Sequence, residues 1–169
     1  MNAARAARSL TAVALAAAAL LAGCASEPTR LPLGVSRAEA LQRLGPPTAS
    51  YPLPGGGERL QYSRQPAGFD VNNVDLDASG KVVAVTPVMN ELWFGQAIRV
   101  NEWRVPDVLR AFGRPEMITR VGSFDGDVWQ WRYLQMNSPR LLYIYIDPQG
   151  VVRRYHVGDD LRFMPPSWD

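Results

Sequence analysis

The chain repeats itself, and that constrains its fold more than any local motif. Gly34 to Pro47, GVSRAEALQRLGPP, slides forward by 68 positions onto Glu102 to Pro115, EWRVPDVLRAFGRP. Leu41 then meets Leu109, Leu44 meets Phe112, Gly45 meets Gly113 and Pro47 meets Pro115, while Glu39 and Asp107 keep an acidic charge. After a small insertion, Asp77-Ala78-Ser79-Gly80 matches Asp147-Pro148-Gln149-Gly150 at an offset of 70. Val74, Leu76 and Val82 correspondingly meet Ile144, Ile146 and Val152. The expectation is two copies of one unit, residues 34–90 and 91–160, followed by a tail at 161–169.

What precedes the repeats is of another kind. Arg5 and Arg8 form a basic start, no acidic residue occurs before Glu27, and an apolar run extends from Leu10 to Leu21. That run is shorter than the ~20 residues of a permanent membrane helix and has the order of a secretion signal. It ends in Leu21-Ala22-Gly23-Cys24, which resembles the lipobox of bacterial lipoproteins. The resemblance implies that residues 1–23 are a signal peptide and that Cys24 becomes the acylated N-terminus. Ala25 stands where an aspartate would retain such a protein at the inner membrane. The resemblance therefore implies an anchor on the periplasmic face of the outer membrane. Cys24 is the only cysteine, so no disulfide forms within the chain. Residues 24–33, with prolines and no apolar period, read as a lipidated tether.

Charge bears on partners only once the leader is set aside. Of 18 basic residues two are Arg5 and Arg8, which leaves 16 against 16 acidic residues. A nucleic-acid partner would demand a basic excess to neutralise phosphates, and none is present.

Within the first unit, Ser36-Arg37-Ala38-Glu39 is a capping-box pattern. Ala38, Leu41 and Leu44 follow at helical spacing, and Gly45-Pro46-Pro47 stops the helix. In the second unit Val105, Val108, Leu109 and Phe112 make a fuller stripe, with Pro106 and Asp107 in the first turn. It lacks a capping serine, so it is expected to rely more on packing. Strands are expected at Glu58 to Ser63, Val71 to Leu76 and Val82 to Val88. The second set is Met117 to Gly122, Val128 to Leu134, Leu141 to Ile146 and Val151 to Val157. Turns fall at Asp77 to Gly80, Phe124-Asp125-Gly126, Asn137-Ser138-Pro139 and Asp147 to Gly150. The link Thr86 to Gln96 carries Trp93 and Phe94. It is expected to be ordered, and continuation of the last strand is one form that order could take.

An amphipathic helix, leucine-Gly-x-Pro, then hairpin strands ending in Asp-x-x-Gly-x-Val resembles the SmpA/OmlA, or BamE-like, outer-membrane lipoproteins. A tandem pair of such units also resembles the β-lactamase inhibitor protein. The fold implied is α+β, two helix-plus-antiparallel-sheet repeats after a lipoprotein signal peptide. The function implied is a non-catalytic lipoprotein, a protein-interaction or structural module in envelope assembly or maintenance, with an envelope protein as partner. The alternative is a lipid-tethered inhibitor or binding module of the β-lactamase-inhibitor type.

The second unit is the aromatic one. Alternation puts Trp129, Trp131 and Tyr133 on one strand face, and Tyr143 and Tyr145 on one face of the next strand. With Leu142, Ile144 and Ile146 buried beneath a helix, these five aromatics would form an exposed binding platform, since Tyr and Trp dominate hot spots. The competing reading is that the aromatics bury one another between the repeats. It is favoured, because Trp and Tyr are highly buried on average.

Chemistry has little else to use. His156, the only histidine, sits near Asp159 and Asp160, but no serine carries a nucleophile-elbow motif, and an ordinary strand residue is the expectation. Asp77 and Asp147 lack the alternating oxygen ligands of a calcium loop and read as hairpin turns. No phosphate-cradling or dinucleotide fingerprint occurs, so neither metal nor cofactor is expected.

Overall fold

A computed structural model of the chain describes residues 27–163; the leader, Cys24 and residues 164–169 lie outside the described residues. The elements are α1 (Arg37–Leu44), β1 (Ala49–Pro52), β2 (Glu58–Ser63), β3 (Val71–Leu76), β4 (Val82–Pro87) and α2 (Glu91–Ala97). They continue as α3 (Val105–Phe112), β5 (Met117–Thr119), β6 (Asp127–Gln135), β7 (Ser138–Ile146) and β8 (Val152–Asp159). The strands make two antiparallel four-stranded sheets in simple sequence order, β1 to β4 and β5 to β8. The class is α+β.

Local hydrogen bonding recurs between the halves. The Arg37 amide donates to the Gly80 carbonyl (2.9 Å), as Val105 does to Gly150 (3.1 Å). Val82 donates to Val35 and Val152 to Trp103, each at 2.9 Å. Isolated bridges join Ser36 to Lys81 and Arg104 to Val151. Each helix thus begins laced to the last hairpin of its own sheet. That hairpin is held by an aspartate: Asp77 Oδ1 accepts from the Ser79 and Lys81 amides (2.9 and 3.0 Å). Asp147 Oδ1 does the same for Gln149 and Val151 (3.0 and 2.9 Å). These are side-chain-closed turns, as their sequence suggested.

Helix ends follow the expected chemistry. Ser36 Oγ accepts from the Glu39 amide at 3.2 Å. At the start of α3, Asp107 accepts from the Arg104 amide at 2.9 Å, which supplies half of a capping box without a serine. Gly113 ends α3 at φ 73°, ψ −165°, a region open essentially to glycine.

Four elements depart from expectation. The link between units contains a helix, α2, rather than an extended β4: Asn90 Oδ1 accepts from the Trp93 amide (2.9 Å) and starts it. Strand β1 was not expected; it is an edge strand closed by Pro52, where the missing amide has no sheet partner to disappoint. Strand β5 stops at Thr119, three residues short of Gly122. The β6–β7 turn is Met136-Asn137, both at positive φ, rather than Asn137-Ser138-Pro139.

The layers interlock across the repeat boundary. Helix α1 buries Ala40 and Leu44 with Leu60, Val74, Leu76 and Val82 on one face of the first sheet. Helix α3 packs Val108, Ala111 and Phe112 on Trp129, Trp131, Leu142 and Ile144 of the second sheet, joined by Phe94 of α2. The end of α3 also meets the remaining face of the first sheet. Gln61, 1% exposed, donates to the carbonyls of Leu109 and Arg110 (3.3 and 3.2 Å). Asn73 donates to Ala111 (2.9 Å) and Arg59 to Arg110 (3.3 Å). Arg59 is itself held by Asp75 through two contacts of 2.7 Å. The Leu109 carbonyl also accepts from the Gly113 amide (2.8 Å); the last carbonyls of a helix otherwise have no partner within it, and here the other unit supplies them. A Cβ on Gly113 would approach Gln61 Oε1 to 2.8 Å, so the seam also demands glycine there.

Asn73→Ala orphans the buried Ala111 carbonyl. It is expected to destabilise the chain by about 1–3 kcal/mol, read from the urea midpoint at unchanged slope, whereas Lys81→Ala on the exposed turn is expected to be near neutral.

Candidate interaction face

Strand pairing decides where the five aromatics go. Trp129 lies opposite Ile144, Trp131 opposite Leu142 and Tyr133 opposite Arg140. Opposed residues share a face, so the β6 aromatics join the aliphatic residues of β7 and face α3. Trp131 and Tyr133 are fully buried and Trp129 is 9% exposed. Phe94 meets Phe112 and Tyr133 edge-on (5.7 and 5.2 Å), and Phe112 lies 6.0 Å from Trp131. The Tyr133 hydroxyl donates to Glu91 at 2.8 Å, and burial, then this bond, pushes its pKa up. A single platform of five is therefore corrected. Trp129, Trp131 and Tyr133 are core, and Tyr143 and Tyr145 point to the opposite face.

That opposite face is the site the geometry leaves open. The three α-helices of the described residues pack elsewhere, although Tyr145 is only 7% exposed. Tyr143 lies across from His156 and Tyr145 from Arg154. The Tyr143 and His156 rings stack, centroids 4.6 Å apart and 10° from parallel. Arg154 places its guanidinium 3.8 Å from the Tyr145 centroid, a cation–π contact. Phe124 closes on Tyr145 edge-on at 5.2 Å. Tyr143 and Phe124 are partly exposed, and His156 and Arg154 are exposed. Gly158 leaves room beside Tyr143, which a Cβ there would touch at 3.5 Å.

Charges frame the rings. Asp160, 1% exposed, accepts from Arg162 at 2.7 and 2.9 Å. Arg162 reaches on to Glu116 (2.9 Å), and Arg132 lies 3.5 Å from Asp160 and 4.7 Å from the Phe69 centroid. The chain after β8 thus crosses the lower part of this face as a strap. Arg162 holds the Asp160 carboxyl below the usual carboxylate range, its amide and charge adding, and Arg132 contributes last. Burial pulls the His156 pKa down and Arg154 adds to it. Burial raises Tyr143.

Sequence reading found Tyr143 and Tyr145 but missed Phe124, Arg154 and the strap. The signal for Arg154 was available: with Asp147 to Gly150 fixed as a turn, β8 alternation places Arg154 and His156 together. Cys24 lies outside the described residues. No group of three or more potential metal ligands occurs among the described residues, and none of their helices is long and apolar enough to cross a membrane.

No protein-family model, curated protein or solved structure matches the chain.

Two outcomes are expected. Trp131→Ala opens a core cavity and costs about 3–5 kcal/mol in denaturant unfolding. Trp131→Phe is milder, because the indole N–H has no hydrogen-bond partner in the structure to lose. For Asp160, a lowered folded pKa means its stabilisation is present above its unfolded value, about 4. It is lost as pH falls through the folded value. Unfolding free energy measured against pH should fall more steeply below about pH 4 in the native chain than in Asp160→Asn.

Proposed function

We propose that the chain is a non-catalytic lipoprotein of the outer membrane, anchored by Cys24 on the periplasmic side, that binds an envelope protein during assembly or maintenance. The observation that carries this reading is the outer face of the second sheet. Tyr143, His156 and Arg154 present stacked rings and a guanidinium on rigid strands, backed by the buried Tyr145, with no α-helix of the described residues above them. Aromatic and arginine side chains in such settings dominate protein-binding hot spots, because they offer area and bonding at low entropic cost. The lipobox supports the anchor. The order helix, Leu-Gly-x-Pro (Phe-Gly-x-Pro in the second unit), four strands supports kinship with the BamE-like lipoproteins.

The open sheet face equally suits a tethered inhibitor of the β-lactamase-inhibitor type, and the partner's identity separates the two. A photo-crosslinking residue at His156, in intact envelopes, is expected to capture one defined protein, and a second at Gln42 on the exposed side of α1 is not. Adding Arg154→Glu should abolish capture while circular dichroism stays native. Equal capture from both positions, or indifference to Arg154→Glu, would sink the proposal.

A further inference from the structure

One end of the molecule gathers apolar side chains that neither packing nor turn chemistry explains. At the β6–β7 turn Met136 is 92% exposed and Leu134 41%; Leu161 and Leu92 are each 73% exposed. All four sit on elements that meet at this end of the second sheet. Leu134 lies opposite Pro139, whose carbonyl accepts from the Asp160 amide next to Leu161. Leu92 follows Glu91, whose carboxylate contacts Tyr133 and Arg140 beside the turn. Met136 has φ 48° at the first position of a two-residue turn. Asn, Asp or Gly is preferred there, and a long side chain in that conformation is strained. A methionine with no contact to gain is therefore costly for the fold.

The chain also enters the fold at this end. Glu27 and Pro28 border a cleft of about 170 Å³ with Arg64 and Asp70, the two ends of the β2–β3 loop. The same loop touches the second sheet two residues from Leu134: Gln65 donates to the Arg132 carbonyl (2.7 Å), and Phe69 lies under the Arg132 guanidinium. From Glu27 the chain runs away from this end, for Gly34 bonds to Val82 near the opposite turns. Only Ala25 and Ser26 lie between Cys24 and Glu27, a reach of roughly 10 Å.

We infer that this end is seated on the lipid bilayer, with Met136, Leu134, Leu161 and Leu92 entering the headgroup boundary. The inference rests on lipidation of Cys24, as proposed above. A tether that short holds the cleft end against the membrane, and the exposed apolar tip then has an apolar medium to enter. Arg64 is paired with Asp70 and Arg140 with Asp159, so the contact is apolar and zwitterionic lipid suffices. The opposite end, with Asp147 and the β7–β8 turn, then projects away from the membrane, and the aromatic face stands edge-on to it.

The test uses the full chain, processed in a bacterial envelope and reconstituted into phosphatidylcholine vesicles. Cys24 is the only native cysteine and is blocked when acylated, so Met136→Cys and, at the far end, Gln149→Cys each take one environment-sensitive fluorophore. The expected result is a blue-shifted emission at 136, quenched by lipids carrying a headgroup nitroxide, with water-like, unquenched emission at 149. Vesicle-bound protein with acylated Cys24 and water-like emission at both positions would overturn the inference and leave the anchor standing. A chain without acyl mass on Cys24 that stays off the vesicles would overturn both.

Discussion

The last turn of α3 is the point on which the structure depends. Its carbonyls at Arg110 and Ala111 have no partner in their own helix, that of Leu109 has only the Gly113 amide, and all three end in the seam between the two sheets. Left unpaired there, each would cost about as much as a stabilising hydrogen bond contributes, or more. Gln61, Asn73 and Arg59 of the first unit meet all three, and their positive edges also suit the negative end of the helix. An otherwise polar sheet face is thereby buried with its hydrogen bonds made. The carbonyls of Arg110 and Ala111 cannot be paired without the first sheet, and the first sheet cannot cover Gln61 and Asn73 without α3. The two units form one body with a shared middle layer, and that is why they differ at equivalent positions.

The same interlocking explains the division of the aromatics. A helix enclosed between two sheets needs bulk on the second, and Trp129, Trp131 and Tyr133 supply it. The outer face of that sheet carries no helix layer and keeps Tyr143, His156 and Arg154 as a surface, with Tyr145 buried against Arg154 and Phe124. A binding role for that surface is consistent with its rigidity: the Asp160–Arg162–Glu116 strap fixes the end of β8 against the start of β5. The apolar tip and the outer face are then two consequences of one geometry, since β6 and β7 run from the polar turns to that tip.

Much of this was legible in the residues. Gly45 and Gly113 with the prolines beyond them fixed both long helices, and Asp77 and Asp147 fixed both final hairpins, because each is local chemistry. The register of β6 on β7 was not legible, and it decided the site. A three-residue turn at Asn137 to Pro139 would set Trp131 opposite Tyr145 and gather all five aromatics on one face. The observed two-residue turn sets Trp131 opposite Leu142 instead and separates them, since one residue of slip exchanges faces. Helix α2 was hidden for another reason. Its apolar residues are aromatic and it contains Gly95, so propensity argues weakly for it, although Asn90 ahead of Glu91 was a usable start signal. Gln61 and Asn73 gave no sign at all, because alternation marks them as solvent-facing and only the repeat partner buries them.

The claim that the two units form one cooperative body is tested most directly by native-state amide hydrogen exchange, comparing the central strands β3 and β7. If the account is right, their slowest amides exchange with the same free energy, and Gln61→Ala lowers both by the same amount although it lies in one unit. Exchange from β3 at a free energy clearly different from that of β7, or a Gln61→Ala effect confined to the first sheet, would show two independent units and contradict it.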